Sequence, residues 1–247
     1  MTVQSMRPQL TEADIVRLMK GETSEERAGV AHRLCRRIAI DALSDDERQY
    51  ADEIIQILAQ DAAELVRRTL SVTLRNSPKL PREVALKLAE DVEAVALPVL
   101  ENSPVFSDED LRELVLSVTA AKQSAIASRS KVSSALSETI SEHAAETAVE
   151  TLAGNPGADL SDKAYEIQLS RFPKNATLHE RIVLRDHVTV HIAEKMVSLV
   201  SGSVFDMLIN RHELPAQMAI DLAAGSRARA TIDLVEQAGR ANDLPRF

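Results

Sequence analysis

The segment Asn76-Ser77-Pro78-Lys79-Leu80-Pro81 closes one predicted helix and opens the next, and the chain repeats this arrangement later. Asn210-Arg211-His212-Glu213-Leu214-Pro215 places the same Asn and Leu-Pro pair at an offset of 134 residues. The helices that follow also agree in sequence, and Leu88 aligns with Leu222. We therefore expect both of these side chains to be buried. Asn102-Ser103-Pro104 repeats the break 26 residues after the first Asn. A helix-pair unit that recurs at this length is typical of an α-solenoid.

The apolar spacing between these breaks is helical, so the sequence predicts an all-α protein. Capping boxes, in which Ser or Thr is followed three positions later by an acidic residue, mark several helix starts, such as Ser44 with Glu47 and Thr177 with Glu180. We expect Asn76, Asn102 and Asn155 to close helices in the left-handed conformation. The predicted helices cover residues 11–19, 24–41, 45–60, 62–75, 82–90, 92–101, 108–119, 121–128, 132–143, 145–153, 160–171, 177–185, 187–200, 203–210 and 216–238.

Several segments carry a resemblance to a known family. They are Asn-Ser-Pro at 76–78, Val-Ala-Leu-Pro-Val-Leu-Glu-Asn-Ser-Pro at 95–104, Ala-Ile-Ala-Ser-Arg at 125–129 and Leu-Ala-Gly-Asn at 152–155. This order resembles an uncharacterised alphaproteobacterial family of HEAT-like repeats, a domain of unknown function, over roughly residues 60–240. The resemblance implies an α-solenoid in a bacterial cytoplasm that serves protein interaction. It transfers no catalytic residue.

The repeats predict how the chain is organised. We expect antiparallel helix pairs in short repeats of about 26 residues, with helices i and i+2 in the same layer. Residues 1–20 form an N-terminal segment, 21–156 the N-terminal HEAT-like repeats, and 157–247 further helical repeats that continue the first set. The break at 154–157 is either a hinge between these parts or a longer loop.

Composition narrows the range of partners. Two Tyr, four Phe and no Trp leave few rings for stacking on bases or cofactors. The net charge of −9 makes nucleic acid an unlikely ligand, because phosphate affinity needs clustered Lys and Arg. Cys35 is the single cysteine, which fits a reducing compartment. The longest apolar run is too short to span a bilayer, and no signal-peptide pattern begins the sequence. We therefore expect a cytoplasmic protein without a membrane partner.

Three residues form the one arrangement that could hold a metal ion. The spacing of His187, His191 and Glu194 places all three side chains on one face of a helix. The repeat favours another interpretation, because aligning 188–196 with 80–88 puts His191 at a position that is polar and solvated in the other copies. We therefore predict a solvated helix face and no bound metal. Phosphate-binding loops and nucleophile elbows do not occur in the sequence, so we predict no catalytic or cofactor-binding residue.

Helix 24–41 contains two residues with possible chemistry. His32 could carry a phosphoryl group if it is exposed, with Arg33, Arg36 and Arg37 supplying the positive charge that a phosphorylated imidazole needs. Cys35 shares a face with Ala28, Ala31, Leu34 and Ile38, so we expect a small core residue and not a reactive thiol.

The favoured function is a non-enzymatic protein-interaction scaffold in bacterial signalling. One alternative is a histidine phosphotransfer or metal-binding helical module. Another is a HEAT-like enzyme acting on nucleic acid, such as an alkylbase glycosylase, which should line a groove with aromatic and basic residues.

The predicted interaction surface is a ridge of arginines on two neighbouring helices. On helix 62–75 a buried stripe from Leu65 to Leu74 should leave the arginines outward. The ridge would receive an acidic segment of a partner, unless the acidic helix 45–60 neutralises it. Its six members are Arg33, Arg36, Arg37, Arg67, Arg68 and Arg75.

Overall fold

A computed structural model describes residues 10–40, 43–197, 199–200 and 202–212, and within these ranges the all-α prediction is confirmed. Every predicted helix in this part of the chain is present, with both ends within three residues of the prediction. Helix 216–238 and Leu222 lie outside the described residues. The fourteen described helices are α1 Glu12–Met19, α2 Ser24–Ile40, α3 Asp45–Ala59, α4 Glu64–Leu74, α5 Arg82–Glu90, α6 Glu93–Asn102, α7 Asp108–Ser117, α8 Ala120–Ala127, α9 Ser134–His143, α10 Glu146–Gly154, α11 Asp162–Arg171, α12 Ala176–Val183, α13 Val190–Val197 and α14 Gly202–Arg211.

Side chains accept hydrogen bonds from the free backbone N–H groups in the first turns of several helices, as the capping boxes predict. The Ser44 hydroxyl accepts a hydrogen bond from the Glu47 N–H, and the Glu47 carboxylate accepts one from the Ser44 N–H. This exchange satisfies two of the donors that a helix start leaves unpaired. The prediction for Thr177 is wrong, because Asn175 caps α12 by accepting from the Leu178 N–H at 2.8 Å.

Helix ends are satisfied differently from the prediction. No described residue other than glycine has a positive φ, so Asn76, Asn102 and Asn155 do not close helices in the left-handed conformation. Asn155 satisfies helix-end carbonyls with its side chain instead. Its amide donates to the carbonyls of Ala127 and Arg129, at 2.8 and 2.7 Å. The end of α8 is thus capped by a side chain from the following helix pair.

The chain divides into two compact units between Leu160 and Ser161, four residues after the predicted boundary. In the first unit, α2, α4, α6, α8 and α10 pack against one another in series. On the other side α1 contacts α3, α3 contacts α5, and α7 contacts α9. The core between the two sets of helices is Leu, Ile, Val and Ala, as the shortage of aromatic residues requires.

The second unit repeats this pattern, because α11 contacts α13 and α12 contacts α14. The aligned positions of α5 and α13 are also buried alike. Val84, Ala85 and Leu88 are at most 2% exposed, and so are Ile192, Ala193 and Met196, as the alignment predicts.

The break at 154–157 is tied to the loop of the preceding helix pair. The Val132 N–H donates to the Gly157 carbonyl at 3.1 Å, and the Asp159 N–H donates to the Val132 carbonyl at 2.9 Å. A Cβ atom on Gly157 would lie 2.1 Å from the Ser130 carbonyl oxygen, so only glycine fits. The segment is a packed loop within the first unit.

Candidate interaction surface

Helices α2 and α4 lie side by side. At one end the Arg27 guanidinium of α2 donates to the carboxylate of Asp61, just before α4, at 2.8 and 3.0 Å. At the other end Lys79 Nζ, just beyond α4, donates to the Ile38 carbonyl near the end of α2 at 2.6 Å. The contacts join start to start and end to end. The helices are therefore parallel, and their outward sides form one surface.

The outward side of each helix lies opposite its buried side. Ala31, Leu34, Cys35 and Ile38 are buried on α2, and Val66, Leu70 and Leu74 on α4. The opposite stripes are 29-33-36-40 on α2 and 65-68-72-75 on α4, with the spacing of three or four that one helix face requires. We define the α2–α4 outer face by its seven exposed side chains: Arg33, Arg36, Ile40, Leu65, Arg68, Val72 and Arg75.

The prediction that Leu65 belongs to the buried stripe is wrong. Its side chain is 42% exposed, and Val72 on the same stripe is 39% exposed. Leu65 is the second residue of α4, where the neighbouring Val66 takes the core position. Apolar side chains therefore alternate with arginines on the outward side of this helix.

The guanidinium groups of the α2–α4 outer face are open to a ligand. Within the ranges that the structure describes, Arg33, Arg36 and Arg68 make no hydrogen bond or ion pair. Among the described residues, the Arg75 guanidinium donates only to the Val72 carbonyl one turn earlier, at 3.4 Å.

The acidic helix α3 does not supply partners to these arginines. Its Glu47 accepts hydrogen bonds from the backbone N–H groups of Leu10 and Ser44, and Asp45 pairs with Arg48 one turn along. The positive charge of the α2–α4 outer face is thus not compensated by ion pairs in the described part of the chain.

Two of the six predicted ridge arginines point elsewhere. Arg67 donates to both oxygens of the Asp91 carboxylate, at 2.5 and 2.9 Å, and these hydrogen bonds lower the pKa of Asp91. Arg37 reaches back to α1, where its guanidinium lies 3.8 Å from Asp14. Both side chains lie at the sides of their helices, where neighbouring elements supply carboxylates, so the predicted ridge loses these two members.

Arg67 occupies a position with a recurring structural role. It is the fourth residue of α4, as Arg27 is of α2 and Gln123 is of α8. Each side chain reaches the segment just before the next even-numbered helix, and Gln123 does so by accepting from the Ala145 N–H at 2.8 Å. The sequence analysis did not predict this clamp position. The signal that could have found it is a polar residue at the fourth position of an amphipathic helix.

The metal candidates are not brought together. His187 lies in the loop before α13, because that helix begins at Val190 and not at the predicted 187. His191 Nε2 lies 2.9 Å from the Glu166 carboxylate, which also accepts from Lys195. Among the described residues, no group of three or more His, Cys, Asp and Glu side chains could hold a metal ion.

The two residues singled out on α2 differ in exposure. His32 is exposed, with Nδ1 3.4 Å from the Thr73 hydroxyl of α4. Cys35 is fully buried, which confirms its predicted core position, and burial raises the pKa of its thiol to about 12. In the described residues, none of the helices has the length and apolar character needed to cross a bilayer.

Comparison with known families identifies the wider group. A family described as an uncharacterised protein conserved in bacteria, DUF2336, matches residues 95–247. The matched span is more than half of the 247 residues, so the chain belongs to this family. The expected membership of a bacterial family of unknown function is confirmed, and the α2–α4 outer face lies before the matched residues. Comparisons with curated proteins and with solved structures found no match.

Proposed function

We propose that this chain is a non-enzymatic protein-interaction scaffold, built as an α-solenoid of HEAT-like antiparallel helix pairs. The serial packing of alternate helices supports this architecture, as does the parallel orientation of α2 and α4. So do the starts of α6, α8 and α10 at residues 93, 120 and 146, close to the predicted period of 26 residues. Stacked helix pairs form extended surfaces by geometry alone, which suits binding without catalysis.

The observation that carries this proposal is the unpaired charge of the α2–α4 outer face. Arg33, Arg36 and Arg68 have no partner within the described residues, while the arginines at the clamp position are fully used. Arginine forks pair bidentately with carboxylates, so the face suits an acidic segment of a protein partner. The partner is bound in the bacterial cytoplasm as part of a signalling assembly.

Phosphotransfer through His32 is the second candidate, because this histidine is exposed and has unpaired Arg33 and Arg36 on the same helix. A histidine kinase from the native cell would label the wild-type chain and not the His32→Ala variant. Labelling that survives this substitution would exclude His32 as the acceptor.

The scaffold proposal is tested by affinity capture from the native cell with Arg33→Glu plus Arg68→Glu as bait. Arg48→Glu plus Lys131→Glu is the control, since it changes the net charge equally at exposed residues outside the α2–α4 outer face. We expect the first bait to lose the partner that wild type and control retain, and higher salt to weaken the wild-type interaction. Equal capture by all three baits would contradict the proposal.

A further inference from the structure

The α2–α4 outer face carries more than charge. On α4 the outward stripe reads Leu65, Arg68, Val72, Arg75, with both apolar side chains about two-fifths exposed. On α2 the stripe ends at Ile40, which is 72% exposed. A site for purely electrostatic attachment gains nothing from exposed Leu, Val and Ile, whereas an interface that excludes water does. The ligand should therefore present apolar groups beside its carboxylates.

The outward surface formed by the parallel helices α2 and α4 suits a helix. Thr69 and Thr73 lie on the α2 side of α4, and their hydroxyls already donate to the carbonyls of Leu65 and Thr69 at 2.7 and 2.6 Å. These hydroxyl donors are therefore satisfied within α4 and do not need an acceptor from a ligand. A peptide that binds by adding to a sheet edge finds no such edge on parallel helices, whereas an amphipathic helix can lay its apolar side against them. The stripe from residue 65 to 75 spans about 15 Å, or roughly three turns.

A protein ligand fits this face better than an anionic membrane or a nucleic acid. The whole chain carries a net charge of −9, which repels surfaces densely covered with phosphate. Three separate apolar side chains, Ile40, Leu65 and Val72, are also few for insertion into lipid, which needs a continuous apolar helix face. Carboxylates spaced along a helix match the four separate arginines.

We propose, resting on the scaffold function above, that the α2–α4 outer face binds an amphipathic helix of a partner protein. The apolar side of that helix covers Leu65 and Val72, and its flanking carboxylates pair with Arg33, Arg36 and Arg68. The apolar contacts make the face selective for amphipathic helices. An acidic chain without an apolar side would pair with the arginines but would leave Leu65 and Val72 uncovered.

The test uses three labelled probes with the full chain: a synthetic 21-residue amphipathic helix of Leu, Ala and Glu, a scrambled peptide of the same composition, and phosphatidylglycerol vesicles. Binding is measured by fluorescence anisotropy for the peptides and by co-sedimentation for the vesicles. The variants are Leu65→Ser plus Val72→Ser, and Arg33→Ser plus Arg68→Ser. Circular dichroism checks that each variant remains helical.

We expect wild type to bind the amphipathic peptide at least about tenfold more tightly than the scramble. The Leu65 and Val72 substitutions should remove this preference. The arginine substitutions should weaken the binding of both peptides. Equal binding of both peptides by wild type would overturn the helix proposal and leave acidic docking intact. Vesicle binding that the same variants abolish would also overturn it. If neither peptide binds, the helix proposal fails, and the capture experiment decides the scaffold proposal separately.

Discussion

The outer faces of α2 and α4 and of α8 and α10 play the same part in packing but differ in chemistry. All four helices belong to the series of alternate helices in the first unit and bury Leu, Ile, Val and Ala on their inner sides. Outward, α2 and α4 show arginines and apolar side chains. The outward sides of α8 and α10 instead carry small residues and one glutamate: Ala121, Ser124, Ser128, Thr147, Glu150 and Thr151.

The difference extends to the hydrogen-bonding capacity of the two faces. The hydroxyls of Ser124 and Thr151 donate to carbonyls of their own helices, at 3.0 and 2.8 Å. The guanidinium groups of Arg33 and Arg68 have no such partner among the described residues. Packing constrains the inner side and the clamp position constrains the edge, so the outward stripe is where sequence can vary without loss of the fold. A function that requires binding should lie there.

The largest effect should follow from breaking the inner side. Leu88→Ala should lower the free energy of unfolding by about 2–5 kcal/mol, because this fully buried side chain would leave a cavity. Chemical denaturation measures the loss. Leu116→Ala on α7 is the control, since its side chain is 62% exposed and its removal should change stability by less than about 0.5 kcal/mol. Equal losses in the two variants would contradict the packing described here.

Two glycine substitutions test how tightly the loop at 154–157 is held. Gly157→Ala should cost about 1–3 kcal/mol, because the new methyl group would overlap the Ser130 carbonyl oxygen. Gly29→Ala, in the interior of α2, meets only the Arg33 side chain at 3.8 Å and should stabilise the chain by about 0.5–1 kcal/mol. Thermal denaturation of both variants would show opposite shifts. A neutral Gly157→Ala would mean that this loop is loosely held.

Substitutions at the adjacent residues Arg67 and Arg68 test the clamp position and the α2–α4 outer face separately. Arg67→Ala should cost about 1–2 kcal/mol, because it removes the two hydrogen bonds to the Asp91 carboxylate and those to the carbonyls of Asp61 and Ala62. Arg68→Ala should leave stability within about 0.5 kcal/mol, since this side chain is exposed and unpaired among the described residues. Urea denaturation compares the two. A greater loss at Arg68 would place the clamp at the wrong residue.

The smallest effect concerns the fourth residue of α12, which is His179. Its ring is buried, its Nε2 atom has no hydrogen-bond partner among the described residues, and desolvation lowers its pKa. The unfolded chain therefore binds this proton more readily, so stability should fall as pH drops below about 6.5. His179→Leu should reduce that loss, whereas His143→Leu at an exposed site should not. Identical pH profiles for wild type and His179→Leu would contradict the assignment.

The sequence predicted the helices well because their signals are local. Capping residues such as Ser44 and the spacing of buried positions such as Leu88 act within one or two turns. The partner of Arg67 could not be predicted in this way, because Asp91 is 24 residues away and approaches only when α4 and α6 pack. The exposure of Leu65 was missed for a related reason. Ser71 and not Leu65 completes the buried stripe of α4, because the Ser71 hydroxyl donates to the Val95 carbonyl of α6 at 2.6 Å once these helices pack.

Hydrogen–deuterium exchange of the chain with and without its captured partner compares both outer faces in one measurement. If the partner binds the α2–α4 outer face, exchange should slow in residues 29–40 and 65–75 and stay unchanged in 120–128 and 146–154. Protection confined to α8 and α10, with α2 and α4 unaffected, would contradict the account.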